Sequence, residues 1–138
     1  MSWTYKGKNF TTEMIEDNQA FVYKITNVSE NKFYLGKKKF WNYRMKPPLK
    51  GQKRRRRIIT ESDWQDYWGS NDKLKEDVER LGPTSFKREI LILCKTTGEA
   101  SYHEAKLQFE NDVLLREDSY NGIIQCRITG RHLSKGKS

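Results

Sequence analysis

Apolar and polar positions alternate on both sides of a short polar turn between residues 20 and 38. "AFVYKIT" (20–26) and "KFYLGKK" (32–38) are rich in strand formers, and the "NVSENK" stretch contains Asn and Ser, which suit tight turns. The pattern predicts a hairpin. Downstream, Asn71 can cap a helix over "DKLKEDVERLG", where Leu74, Val78 and Leu81 share one face and Gly82 supplies the stop. "SFKREILILC" (85–94) is the strongest strand, and its apolar end from Ile90 to Cys94 marks a buried central position. Residues 99–116 form the longest helix candidate, with Ala100, Leu107, Val113 and Leu114 as its inward stripe.

The remaining segments carry weaker signals. Residues 1–18 read as an irregular lead-in with one helical turn near Thr12 to Asp17. "FWNYRM" (40–45) begins a short helix that Pro47 and Pro48 stop. "TESDWQDYWGS" (60–70) reads as a short helical body capped at Thr60 or Ser62 and ended by Gly69. "IIQCRI" (123–128) is a last strand, and 129–138 form a basic tail. The predicted architecture is a single α+β domain over 1–138, with its core at about 20–124. Its small central antiparallel sheet has about three strands and is flanked by helices.

Composition changes this picture in two places. Only 35% of the chain is hydrophobic and 33% is charged, but 4 Trp, 7 Tyr and 6 Phe supply a small aromatic core. The net charge of +9 is concentrated in "RMKPPLKGQKRRRR" (44–57), which holds eight Lys or Arg and no acid. So local a cationic surface points to a polyanion; a solvated loop or a localisation tag is the plainer reading. No apolar stretch is long enough to span a bilayer and no signal-peptide core is visible, so a soluble cytoplasmic protein is expected. Cys94 and Cys126 sit in apolar runs and are expected to be reduced and structural. With only His103 and His132 available, a zinc site is not expected.

Four residues could carry chemistry: Tyr23, Tyr34, Arg44 and Glu104. Each has a plainer explanation. A strand tyrosine usually packs, and Arg44 can be one more basic-loop residue. Ser101 stands three before Glu104, the spacing of a capping box. If the helix starts near Ser101, Glu104 reaches back to the backbone; if it starts near Thr97 or Glu99, Glu104 is free to face a cleft. Trp41, Trp64, Tyr67 and Trp68 are either core residues or stacking platforms for bases.

Taken together, the order and offsets resemble the GIY-YIG nuclease family, and in particular its small phage-encoded, free-standing homing-type endonucleases. Phe21-Val22-Tyr23 stands for the first element and Tyr34-Leu35-Gly36 for the second. Phe21 replaces the family glycine, and Leu35 replaces an isoleucine. Arg44 follows Tyr34 by ten residues, the offset of the family's phosphate-binding arginine, and Lys37 matches a basic residue of some members. "SFKREILILC" resembles the central strand, Glu104 fits the helix glutamate and Asn121 fits the terminal asparagine.

The resemblance implies a metal-dependent DNA endonuclease. Glu104 would hold one divalent cation, Mg²⁺ or Mn²⁺, near the leaving 3′ oxygen, and Tyr23 or Tyr34 would stand near the attacking water, its pKa lowered by Lys37, Arg44 and the metal. Arg44 would clamp phosphate, with Lys37 and Asn121 in support. Lys46, Lys50, Lys53, Arg54, Arg55, Arg56 and Arg57 would grip the backbone of double-stranded DNA. Whether one chain nicks or two chains act together stays open. The alternatives are a non-catalytic basic nucleic-acid-binding module on the same scaffold and a loop that docks an acidic protein.

Overall fold

A computed structural model describes residues 2–125. The lead-in is ordered as two short strands, Thr4–Tyr5 (β1) and Lys8–Asn9 (β2), rather than an irregular segment. They turn through Lys6 and Gly7 at φ 51° and 81°. Two successive positive φ values make the turn whose twist matches a hairpin. A 3₁₀ turn follows at Thr12–Met14, within the stretch expected to be helical.

The predicted hairpin is present as Ala20–Asn27 (β3) and Lys32–Lys39 (β4). Next come Trp41–Lys46 (β5) and Arg56–Glu61 (β6), an antiparallel ribbon that forms a sheet of its own. The helix expected at 40–45 is therefore a strand. Trp41, Tyr43 and Met45 alternate with Asn42, Arg44 and Lys46, and the β-branched run Ile58-Ile59-Thr60 supplies a partner. The helix expected at 60–70 shrinks to a 3₁₀ turn at Trp64–Asp66, because Thr60 and Glu61 are already committed to β6.

Asp72–Leu81 (α1) forms as expected, with the Asn71 side chain accepting from the Leu74 N–H. Phe86–Cys94 (β7) is the central strand of five, in the order β2-β1-β7-β3-β4. The α+β class holds, with five strands rather than about three. The extra two come from the lead-in, where β1 joins β7 in parallel. Thr97–Glu110 (α2) ends earlier than expected, so Val113 is buried beyond it while Leu114 is exposed rather than inward. Residues 123–125 form no strand; the rest of that predicted strand, Cys126, His132 and the basic tail lie outside the described residues. Cys94 is free and buried, and burial pushes its thiol up to about 11, which suits a structural role. No helix among the described residues is long and apolar enough to cross a membrane.

The sheet has two different faces. On one, Phe21, Tyr23 and Ile25 join Trp3, Phe40, Trp64 and Leu74 of α1 in an aromatic core. The Trp3 indole N–H donates to the Trp64 carbonyl at 2.7 Å, tying the first residues to the far side of the ribbon. Phe21 is wholly buried against Trp3 and Phe40, so the bulk at this position fills the core rather than the cleft. On the other face, Ala20, Val22 and Cys94 meet Ala100 of α2.

Arg88 is buried on β7, with its guanidinium over Trp3 and Trp68. It donates to the carbonyls of Gln65 and Tyr67 at 3.0 and 2.9 Å. A cation in an aromatic slot thus holds the 65–68 stretch against the sheet.

Register fixes one glycine absolutely. Tyr23 lies opposite Gly36, and a Cβ built on Gly36 would stand 2.4 Å from the Tyr23 hydroxyl and 2.9 Å from the Tyr34 ring. The absent side chain is the passage through which Tyr23 crosses β4. Gly36→Ala is expected to displace the packed ring and cost about 1–3 kcal/mol, as overpacking does. A lowered urea midpoint with altered near-ultraviolet tyrosine signals would show it. Gly122→Ala, where a Cβ meets nothing within 4 Å, should leave both unchanged.

Candidate active site

The outer edge of β4 would leave backbone N–H and C=O groups unpaired, and these need partners. The chain returns to supply them. Phe33 N–H donates to the Asp118 carbonyl, and Tyr120 N–H donates to the Phe33 carbonyl, both at 2.8 Å. Two residues along, Asn121 acts as a surrogate strand: its Oδ1 accepts from Leu35 N–H at 3.0 Å and its Nδ2 donates to Leu35 O at 2.8 Å. Gln108 of α2 donates its Nε2 to the same Leu35 oxygen at 3.0 Å. One step further, the Lys37 N–H turns towards the Glu104 carboxylate.

The 118–121 segment is itself latched. The Tyr120 hydroxyl donates to buried Asp77 of α1 at 2.7 Å, and Asn27 donates to that hydroxyl at 3.0 Å. Burial opposes the Asp77 charge, but the bonds from Tyr120, Arg80 and Lys73 outweigh it and hold the carboxyl down at about 2. Asn71 adds a tie by donating to the Tyr120 carbonyl at 2.8 Å.

A cavity of about 280 Å³ opens at this edge. Tyr23 and Tyr34 reach it from the aromatic face, while Lys37, Glu104 and Gln108 reach it from the α2 side. Ser70 and Asn71 enter from the loop before α1, and Asn121 to Ile123 close it. The Tyr23 and Tyr34 rings lie 6.2 Å apart, centroid to centroid, and Tyr34 shares a 3.1 Å hydrogen bond with Ser70. Gly69 packs beneath, at a φ of 84° and with its would-be Cβ position 3.3 Å from Tyr34. Tyr67 meets Tyr23 edge-on at 6.0 Å.

The start of α2 settles the two readings of Glu104. Thr96 caps the helix by accepting from Glu99 N–H at 3.1 Å, so Glu104 lies in the second turn and is free of a capping box. Ser101 instead donates to the Thr97 carbonyl and accepts from Lys37 Nζ.

The electrostatics are those of a partly dry pocket. Burial raises Glu104, and the Lys37 charge and backbone N–H offset part of that rise. Burial also raises Tyr23 well above its ordinary value, with Tyr67, Tyr34 and Glu104 adding to the effect. Tyr34 is raised by burial too; Ser70 counteracts, and Tyr67 and Glu104 add. Burial above all therefore favours the protonated form of both phenols, and neither Lys37 nor Arg44 counters it; the lowering expected from these two cations together with a metal would fall to the metal.

Arg44 does not line this cavity. It is exposed on β5, on the same ribbon face as Asn42, which lines a neighbouring groove with Lys37, Lys38 and Lys39. Lys46 and Arg56 are paired on that face, whereas Arg57 lies on the other and stacks over Tyr43 at 4.5 Å. Lys50, Lys53, Arg54 and Arg55 are exposed in the connection between the two strands. Trp64 is fully buried and Trp68 packs on Phe86, so both are core residues. Sequence reasoning missed Ser70, Asn71 as a lining residue, and Gln108. The available signal for Gln108 was its place one helical turn after Glu104.

The donors around the cavity are a carboxylate, carboxamides and hydroxyls, with no sulfur or imidazole. Among the described residues no group of three or more His, Cys, Asp or Glu comes together. Such a set fits a hard cation that keeps most of its water, and does not fit zinc. The family model "Putative endonuclease segE, GIY-YIG domain" matches residues 3–124, so the lead-in belongs to the domain. "Putative endonuclease segD" of Enterobacteria phage T4 is 28% identical over 106 residues, which are 77% of this chain and 38% of that protein. The chain thus spans well under half the length of that relative. No solved structure matches significantly. The match over nearly the whole described fold, with both tyrosines, the glutamate and the asparagine gathered at one edge, leads to one conclusion: the chain belongs to the GIY-YIG endonuclease family.

Proposed function

We propose that this domain hydrolyses phosphodiester bonds of double-stranded DNA, using one divalent cation, Mg²⁺ or Mn²⁺, held by Glu104. The observation that carries the reading is the convergence of Tyr23, Tyr34, Lys37, Glu104 and Asn121 on one polar cavity from separate parts of the chain. A bound cation would stabilise charge on the phosphate and the leaving oxygen.

The chain's own residues divide the rest of the work. Tyr34, half-exposed and oriented by Ser70, faces the attacking water. Tyr23 is deeper and holds the Tyr34 ring in place through their contact. A water that attacks phosphorus must lose a proton, and a phenol accepts it only once its own proton has gone. Tyr34, only partly buried, can first release its own proton to solvent and then take the water's, whereas fully buried Tyr23 cannot. Lys37 sets a positive charge beside Glu104, where a phosphate oxygen would sit. Asn121 positions β4 rather than touching substrate. Arg44, Lys46 and Arg56 present a basic ribbon face beside the cleft, with Arg44 as the phosphate clamp and its neighbours as backbone grips.

Supercoiled plasmid incubated with Mg²⁺ or Mn²⁺ is expected to be nicked or cut, and chelator should stop it. Glu104→Ala should reduce the rate by about 10²–10³-fold, on the scale of losing a principal electrostatic group, while DNA binding in a mobility-shift assay persists. Binding by wild type without cleavage under either metal would leave only a nucleic-acid-binding module.

A second expectation follows from the raised Glu104. Above its folded pKa the charged carboxylate costs stability, and in acid both folded and unfolded chains carry it neutral. In chelator, Glu104→Gln should therefore be more stable than wild type at neutral pH. The gap should close as pH falls through the folded pKa towards the ordinary value of 4.5. Denaturation curves at several pH values measure this.

A further inference from the structure

Gln108 holds an oxygen that the fold does not use. The side chain is 4% exposed, and its Nε2 is spent on Leu35 O at 3.0 Å. Leu35 O can only accept, so the carboxamide has one allowed orientation, and Oε1 is fixed in the other direction. That oxygen is buried without a hydrogen-bond partner among the described residues. Buried acceptors are nearly always satisfied, so such an atom marks a place where something else supplies the donor.

Its position says what. Gln108 lines the same cavity as Glu104 and stands four residues after it, on the same side of α2. The carboxamide is clamped to the strand that also presents Lys37 N–H to Glu104. We infer that Gln108 is a positioning residue for the cation site: its Oε1 accepts a hydrogen bond from a water in the shell of the divalent ion held by Glu104. This rests on the one-cation reading above. A single carboxylate leaves most of the shell as water, and those waters need fixed acceptors if the ion is to be held in one place.

The test uses Gln108→Met, which keeps the length of the side chain and removes both polar atoms. Leu35 O retains its bond from Asn121 Nδ2 in this variant. Mn²⁺ affinity is read directly by electron paramagnetic resonance titration of the metal-free protein, and thermal stability is measured in chelator and in saturating Mn²⁺. The variant should bind Mn²⁺ about tenfold more weakly, the lower end for loss of an outer-shell partner. Its melting temperature in chelator should match wild type or exceed it. The Mn²⁺ concentration for half-maximal plasmid cleavage should rise by a similar factor, with the rate at saturating metal within about threefold, because only the weakened binding changes.

Unchanged Mn²⁺ affinity in Gln108→Met would overturn the inference. So would a fall in melting temperature of the same size with and without metal, since that is what a purely structural residue gives. Glu104→Gln separates the layers. If it abolishes Mn²⁺ binding while Gln108→Met leaves it untouched, the role of Gln108 fails and the one-cation reading stands. If Glu104→Gln binds Mn²⁺ as wild type does, both fail.

Discussion

The outer edge of β4 must find hydrogen-bond partners, and most of the site follows from how it does so. Phe33 is paired by the 118–120 backbone and Leu35 by the carboxamides of Asn121 and Gln108, while the Lys37 N–H faces the Glu104 carboxylate. Three successive edge positions thus draw residues from α2 and from the segment after it to one line. In an ordinary sheet a further strand would do this with backbone alone. Here side chains do it, and Asn121, Gln108 and Glu104 at the same time line a cavity.

The opposite face contributes through an absence. Gly36 has no side chain, so Tyr23 can lie across β4 beside Tyr34 and bring the aromatic core to the same edge. The site therefore straddles a single strand, with phenols from one face and the carboxylate and lysine from the other. The core that fixes the phenols begins at Trp3 and includes Phe21, Phe40 and Trp64. Stability and the candidate chemistry share one set of aromatic contacts. The cost appears where polar groups are buried: Glu104 and both phenols are pushed towards their neutral forms, and the Gln108 oxygen is left without a partner. A cation beside Glu104 would favour its charged form and offset that cost.

Much of this was legible in the sequence because it depends on local pattern. The β3–β4 hairpin, the Asn71-capped α1 and the apolar β7 have clear periodicity, and the order of the two tyrosines, the glutamate and the asparagine carried the resemblance. What failed was non-local. Thr4–Tyr5 is too short to show alternation and becomes a strand only because β7 is there to pair with it. "FWNYRM" has aromatic residues that suit either helix or strand; its partner lies about ten residues on, past two prolines and a run of basic residues that read as a loop. Gly69 reads as a helix stop, and nothing in the sequence shows that it also supports Tyr34. Gln108 sits in a polar-looking helix, and only the placement of Leu35 reveals that half of its carboxamide is committed. Arg44 sits at the family offset, yet exposed on a ribbon separate from the main sheet rather than in the cavity wall, on the ribbon face that carries Asn42.

The central claim is that this edge builds a seat for one cation. Anomalous diffraction from crystals of the domain soaked in Mn²⁺ tests it most directly. The account predicts a single strong peak within about 2.0–2.3 Å of a Glu104 carboxylate oxygen, inside the cavity shared with Tyr23 and Tyr34. A peak bound elsewhere, a pair of ions in the cavity, or no peak beside Glu104 at saturating Mn²⁺ would contradict it.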